Sequence, residues 1–186
     1  MRTRIAAILC VLFCLSGCKD TGESLDKAIA LRNRILGSGG CSFTATVTAD
    51  YGDQIYVFKM GCQTDKDGNL NFTVKEPSTI AGITGKITGT GGAITFDDKV
   101  LAFQTIADGQ VTPVTAPWLL MKTLRSGYLK DASETERGFE ISIDDSYAEE
   151  SLQLLVQTES ERPASAEIFW KGRRVLTLTI EEFAFL

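Results

Sequence analysis

The sequence predicts an α+β fold, mainly antiparallel β: a strongly curved sheet of about ten strands with an N-terminal helix and a second, apolar helix on its concave face. Three observations carry this. Period-two alternation of apolar and polar residues recurs from residue 41 to the end, broken by turns rich in Gly, Asp and Asn. Helical spacing occurs in residues 23–36 and 116–126. So long a run of strands curls or closes, and an apolar concave face then needs a cover, which the two helices supply.

The chain opens with Arg2 and Arg4, an apolar run from Ile5 to Leu15, and the small residues Ser16 and Gly17 before Cys18. That is the order of an export signal. The run is shorter than the roughly 20 residues of a spanning helix. Leu15-Ser16-Gly17-Cys18 resembles the lipobox of bacterial lipoproteins. The resemblance implies removal of residues 1–17 and attachment of acyl chains such as palmitate to Cys18. A diacylated cysteine supplies the two chains that stable anchoring requires. Residues 18–22 are then a lipidated tether and 23–186 a single domain, on the extracytoplasmic face of a membrane. Lys19 stands where an aspartate resembles an inner-membrane retention signal, so an outer membrane is open to the protein if the cell has one. An ordinary secretory signal with an incidental cysteine is the plainer alternative.

Residues 23–36 place Leu25, Ala28, Ile29, Arg32, Ile35 and Leu36 near one helical stripe, and Gly37-Ser38-Gly39-Gly40 ends it. Residues 41–50 and 53–62 read as a hairpin around Tyr51-Gly52, with Asp50 opposite Asp53. That register puts Phe43, Ala45, Val47, Tyr56, Phe58 and Met60 on one face and Thr44, Thr46, Thr48 and Lys59 on the other. It also sets Cys41 opposite Cys62 in a non-hydrogen-bonded pair, close enough for a disulfide at the short end of the range. Closing that loop contributes about 3 kcal/mol. Two reduced core cysteines are the alternative. A metal site is not expected, because no further soft ligand exists.

Further strands follow at Leu70-Phe72-Val74, Ile83-Gly85-Ile87, Ile94-Phe96 and Leu101-Phe103, and residues 104–114 read as a loop. Residues 116–126 form the second helix, with Thr115 as cap, Pro117 in the first turn and Gly127 past the end. It is apolar on most sides, the mark of a buried helix. Residues 129–137 are charged and read as loop. Four strands close the domain, at Phe139-Ile143, Leu152-Val156, Ala166-Trp170 and Leu176-Ile180. A change of phase to Phe183 and Phe185 then predicts a bulge near Glu181-Glu182.

Two helices interleaved with strands in this order resemble the LolA/LolB/LppX-like half-barrel superfamily of bacterial envelope lipoproteins. The likeness covers roughly residues 23–186. It is carried by the Pro117-Trp118-Leu119-Leu120-Met121 helix and by Ala166-Glu167-Ile168, Gly172, Val175 to Ile180 and Phe183-Ala184-Phe185. The resemblance implies a half-barrel that binds acyl chains or whole lipids, with the helices as a lid that LolA holds with an arginine. The lipid anchor agrees with LolB or LppX rather than with the soluble carrier LolA.

Function classes narrow accordingly. Without residues 1–17 the chain carries a net charge of −7, and its acidic surface lacks basic clusters, which argues against nucleic acid. The absence of histidine removes Ser-His-Asp and Cys-His systems and the usual general base. Gly82-Ile83-Thr84-Gly85-Lys86 only glances at a phosphate loop, since Ile87 replaces Ser or Thr and a strand follows. The adjacent acidic pairs Asp97-Asp98, Asp144-Asp145 and Glu181-Glu182 diverge in strands or lie in solvated turns. An enzyme is therefore not expected, nor a cofactor. The expected function is binding of a hydrophobic ligand, lipid or acyl chain, with its handover at the membrane. The candidate pocket residues are Phe43, Phe58, Met60, Phe72, Trp118, Met121, Trp170 and Leu178; for any single one of them a place in the core is the commoner case. The alternative is a structural or interaction lipoprotein with a filled core, docking a partner through the acidic segments 131–136 and 144–150.

Overall fold

The computed structural model describes residues 20–97, 99–103, 106–107, 110–145 and 151–186; Cys18 and the segment 1–19 lie outside the described residues. Helix α1 runs Asp20–Gly37. It starts three residues before its predicted start, so 20–22 are helical rather than a free tether. Its buried stripe is Ser24, Ala28, Leu31 and Ile35, while Ile29 and Leu36 of the predicted stripe are exposed. The helix is rotated from the expected setting, and Leu31 takes the core position.

The strands are β1 (Cys41–Asp50), β2 (Ile55–Thr64), β3 (Leu70–Glu76), β4 (Thr84–Thr88), β5 (Gly91–Phe96), β6 (Lys99–Phe103), β7 (Ile106–Ala107) and β8 (Gln110–Val111). A 3-10 turn, Pro113–Thr115, leads into helix α2 (Ala116–Ser126). Then come β9 (Tyr128–Glu134), β10 (Phe139–Asp144), β11 (Leu152–Glu159), β12 (Arg162–Trp170) and β13 (Arg173–Phe185). Eleven strands make one antiparallel sheet in the order β6-β5-β4-β3-β2-β1-β13-β12-β11-β10-β9, and β7 and β8 pair in a second sheet. Each wing is a meander, and the wings join where β1 pairs β13. The sheet does not close: β6 and β9 are its edges. The connection between those edges contains α2, which packs on the concave face. The predicted curved half-barrel with two covering helices is the fold observed.

The concave face is the predicted apolar one. Ala45, Val47, Leu70, Ile87, Ile141, Leu154 and Ile168 are fully buried there. Gly85 lies beside Phe72 across the β3–β4 ladder, and a Cβ on it would sit 2.4 Å from the Phe72 ring. Glycine here lets the large ring lie flat on the curled wing. The predicted bulge is present: Ser42 pairs Ala184 but Thr44 pairs Glu181, and Glu182 has φ 56°.

Four further expectations need correction. Of residues 129–137, read as charged loop, 129–134 belong to edge strand β9, in which only Ala132 is buried. A charged edge strand carries no apolar alternation, and charge there guards against edge-to-edge association. The 104–114 loop contains the short β7–β8 hairpin. Thr115 does not cap α2 with its side chain; its Oγ1 donates to the Thr112 carbonyl at 2.6 Å.

The fourth is the disulfide. The β1–β2 loop spans four residues, Tyr51 to Gln54, with Asp50 opposite Ile55. The register is therefore shifted by two from the predicted one. Cys62 faces Phe43, and the Cys41 amide donates to Thr64 Oγ1 at 2.9 Å. The cysteines stand on a diagonal, where Cα spacing is about 7–8 Å, beyond the roughly 4.4–6.8 Å a disulfide spans. Both are free and buried. Burial pushes the Cys62 thiol up to about 12 and the Cys41 thiol upward from its ordinary value. A thiol held protonated is a poor nucleophile. Iodoacetamide at pH 8 is expected to spare Cys62 in the native protein and to label both Cys41 and Cys62 after unfolding without reductant. A Cys41–Cys62 peptide two hydrogens lighter on mapping would contradict this register.

Candidate ligand-binding site

Helix α2 buries Trp118, Leu119, Leu120, Met121 and Leu124 along with Ala116 and Pro117, so apolar contact surrounds most of it. Its buried Thr123 is satisfied within the helix, donating to the Leu119 carbonyl at 2.9 Å. Four polar anchors set its position. Trp118 Nε1 donates to the Gly68 carbonyl at 3.1 Å, and Arg125 Nη2 to the Lys66 carbonyl at 2.8 Å, both in the β2–β3 turn. Lys122 Nζ lies 2.5 Å from Asp145 Oδ2, just past β10. Arg32 of α1 donates from Nε to the Leu124 carbonyl at 2.7 Å and from Nη2 to the Gly127 carbonyl at 2.6 Å. These carbonyls are at the negative end of the helix dipole, where a cation is favoured. Burial lowers the Arg32 pKa from its usual value, yet a guanidinium remains charged. Sequence reading placed Arg32 in an apolar stripe; its role as a clamp between the helices depends on a contact 92 residues away.

A cleft of about 520 Å³ opens where α2 meets the β2–β3 turn, the C-terminal end of α1 and the ends of β11 and β12. Leu36, Trp118, Leu119, Leu152 and Trp170 form its apolar wall, and Lys122, Arg125 and Asp145 its polar part. Its size lies within the roughly 300–1,000 Å³ of small-molecule sites. A larger groove of about 840 Å³ lies mainly on the opposite sheet face, lined by Thr44, Gly61, Thr73, Lys75, Thr84 and Lys86 among others. It is polar, and its Lys75 Nζ lies 3.1 Å from Thr44 Oγ1.

The predicted pocket residues separate. Trp118 and Trp170 line the cleft. Phe43 and Phe72 border the polar groove but are themselves core, and Phe43 stacks on Phe183 with ring centroids 5.7 Å apart. Met60, Met121 and Leu178 are buried, and Phe58 packs half-buried against them; these four border neither opening. Leu36, Leu119, Lys122, Arg125, Asp145 and Leu152 were missed. One signal was available for Asp145: it continues the inward parity of Phe139, Ile141 and Ile143, and so points a carboxylate toward the core side.

Two of the three acidic pairs diverge, while Asp98 of the third lies outside the described residues. Glu181 binds Lys59 at 2.8 Å, whereas Glu182 accepts from Thr44 Oγ1 at 3.2 Å. Asp145 is buried beneath Lys122 while Asp144, its neighbour, is half-buried. Gly82 leads into β4 rather than into a helix. Among the described residues no cluster of three or more His, Cys, Asp or Glu is placed to hold a metal ion, and no helix is long and apolar enough to cross a membrane.

No protein-family model matches the chain, and no curated protein matches it. Among solved structures it is similar to a putative outer membrane lipoprotein-sorting protein domain from Vibrio parahaemolyticus, at 10% identity over 88% of this chain and 92% of that one, with a TM-score of 0.50. It is also similar to a LolA superfamily protein from Nitrosomonas europaea, at 10% identity over 91% and 94% with a TM-score of 0.44. The Mycobacterium tuberculosis lipoprotein LppX matches at 7% identity over 87% and 93%, with a TM-score of 0.39. The chain shares its fold with the Vibrio domain.

Replacing Arg32 with Leu is expected to lower unfolding stability by about 2–3 kcal/mol, because it leaves the last carbonyls of α2 without their charged donor. Denaturant unfolding measures this; an unchanged midpoint would show that Arg32 does not hold α2.

Proposed function

We propose that the protein is a non-enzymatic envelope lipoprotein that binds a hydrophobic ligand, a lipid or acyl chain, and hands it over at the membrane. The observation that carries this reading is the apolar cleft at the point where α2 crosses the mouth of a half-barrel. Two tryptophans and three leucines wall it, and charged groups lie at its margin. An apolar body with a polar margin suits an amphiphile: the chain is desolvated against the wall while the head stays near charge and water. The fold supports the reading by likeness, since the similar Vibrio structure is described as a lipoprotein-sorting domain.

Residues Arg2 to Cys18 support a lipid anchor. With α1 beginning at Asp20, at most Lys19 separates Cys18 from the helix, so an anchored domain would stand against the bilayer. Ligand would then be received or delivered at the membrane surface. The complete lack of histidine supports a binding role over catalysis.

A second reading has an observation of its own. Met60, Met121, Leu154, Ile168 and the inner side of α2 fill the space beneath the helix, as in a protein with a finished core. In that case the protein is a structural or interaction lipoprotein. Organic extraction of the protein purified from its native envelope separates the two. Recovered lipid at close to one equivalent is expected; a clean extract together with no uptake of a fluorescent fatty acid favours the filled core. Replacing Cys18 with Ala is expected to move the protein out of the membrane fraction, and retention there would contradict anchoring through Cys18.

A further inference from the structure

The polar part of the cleft contains a buried acceptor that the fold does not satisfy. The Asp145 side chain is 0% exposed, and its Oδ2 takes the Lys122 ammonium. Its Oδ1 has no hydrogen-bond partner among the described residues. Neither nearby guanidinium serves it. Arg125 is committed to the Lys66 carbonyl, and Arg32 to the carbonyls that end α2. An ionised oxygen without a donor in dry surroundings is costly, and native proteins seldom keep one without a use. Its position is also firmly set: the Asp145 amide donates to the Leu152 carbonyl at 2.9 Å, extending the β10–β11 pairing.

Resting on the reading of this cleft as a hydrophobic-ligand site, we propose that Asp145 is the head-group acceptor and that the ligand is an amphiphile whose polar end donates hydrogen bonds, an amine or an alcohol. The apolar wall of Trp118, Leu119 and Trp170 receives the hydrocarbon chain. The head approaches Asp145 from the cleft side. Access runs past Lys122, whose side chain is 33% exposed and is the part of the pair that reaches solvent. Its long flexible stem swings outward without moving the backbone, uncovering the carboxylate beneath. A donor head then fills the unmet valence of Oδ1, and Lys122 closes back onto Oδ2. A carboxylate head brings only acceptors to the same place and is repelled by Asp145.

The chain has two tryptophans, and both line the cleft, so intrinsic fluorescence reports on this site. The test titrates the purified full chain at neutral pH with dodecylamine, dodecanol and dodecanoate. The amine and the alcohol are expected to bind about tenfold or more tighter than the carboxylate, the worth of a hydrogen bond to a charged acceptor. Asp145→Asn keeps the volume and removes the negative charge; it is expected to abolish the preference for the amine over the carboxylate. Lys122→Met exposes the second oxygen and is expected to tighten the amine further. Dodecanoate binding as well as the amine to the wild-type chain overturns the head-group assignment, and this comparison needs no variant to fold. Equal response to all three amphiphiles does the same while leaving the hydrophobic-ligand reading in place. No fluorescence response to any of them overturns that reading and this inference with it.

Discussion

An open antiparallel sheet of eleven strands has two free edges, and the chain must travel from one to the other. That journey is the constraint on which the rest of the molecule depends. The first wing ends at the β6 edge and the second begins at the β9 edge, so the connection between them has to cross the mouth of the curl. Crossing there exposes it to the apolar concave face, and only an element that is apolar nearly all round is stable in that position. Helix α2 has that composition. Its burial completes the core that neither wing could form alone.

A crossing helix has polar ends, and these decide how it sits. The last carbonyls of α2 would be orphaned in apolar surroundings without Arg32. The β2–β3 turn accepts from Trp118 and Arg125, which ties α2 to the first wing. Asp145 receives Lys122 and ties it to the second. The cleft lies among these ties, and Trp118, Lys122, Arg125 and Asp145 line it. Charge therefore lines the site for the same reason that the helix is placed there.

Strand faces and both helices were legible because burial on one side imposes a period of two or 3.6. Gly85, Ile87, Phe139, Ile141, Leu152 and Leu154 announce themselves in this way. Strand β9 did not, since an edge strand at the rim is held by main-chain bonds to β10 and buries only Ala132. The site was half legible. Trp118 and Trp170 stand out by size, but Lys122 and Asp145, 23 positions apart, look like ordinary surface charges until the chain folds them together.

By itself the sequence determined which strand residues face inward, where the helices lie, that the sheet must curl and where β13 bulges. These follow from local periodicity and turn chemistry, which each segment carries alone. Tertiary structure decided the rest. Sliding β1 against β2 by two residues leaves every side chain on its face, so alternation cannot see it, and only the four-residue loop chose the register that parts Cys41 from Cys62. The rotation of α1 toward Leu31, the clamp by Arg32 and the unpartnered oxygen of Asp145 depend likewise on distant segments meeting. Contacts of that kind have no period, and a chain reveals them only once it has folded.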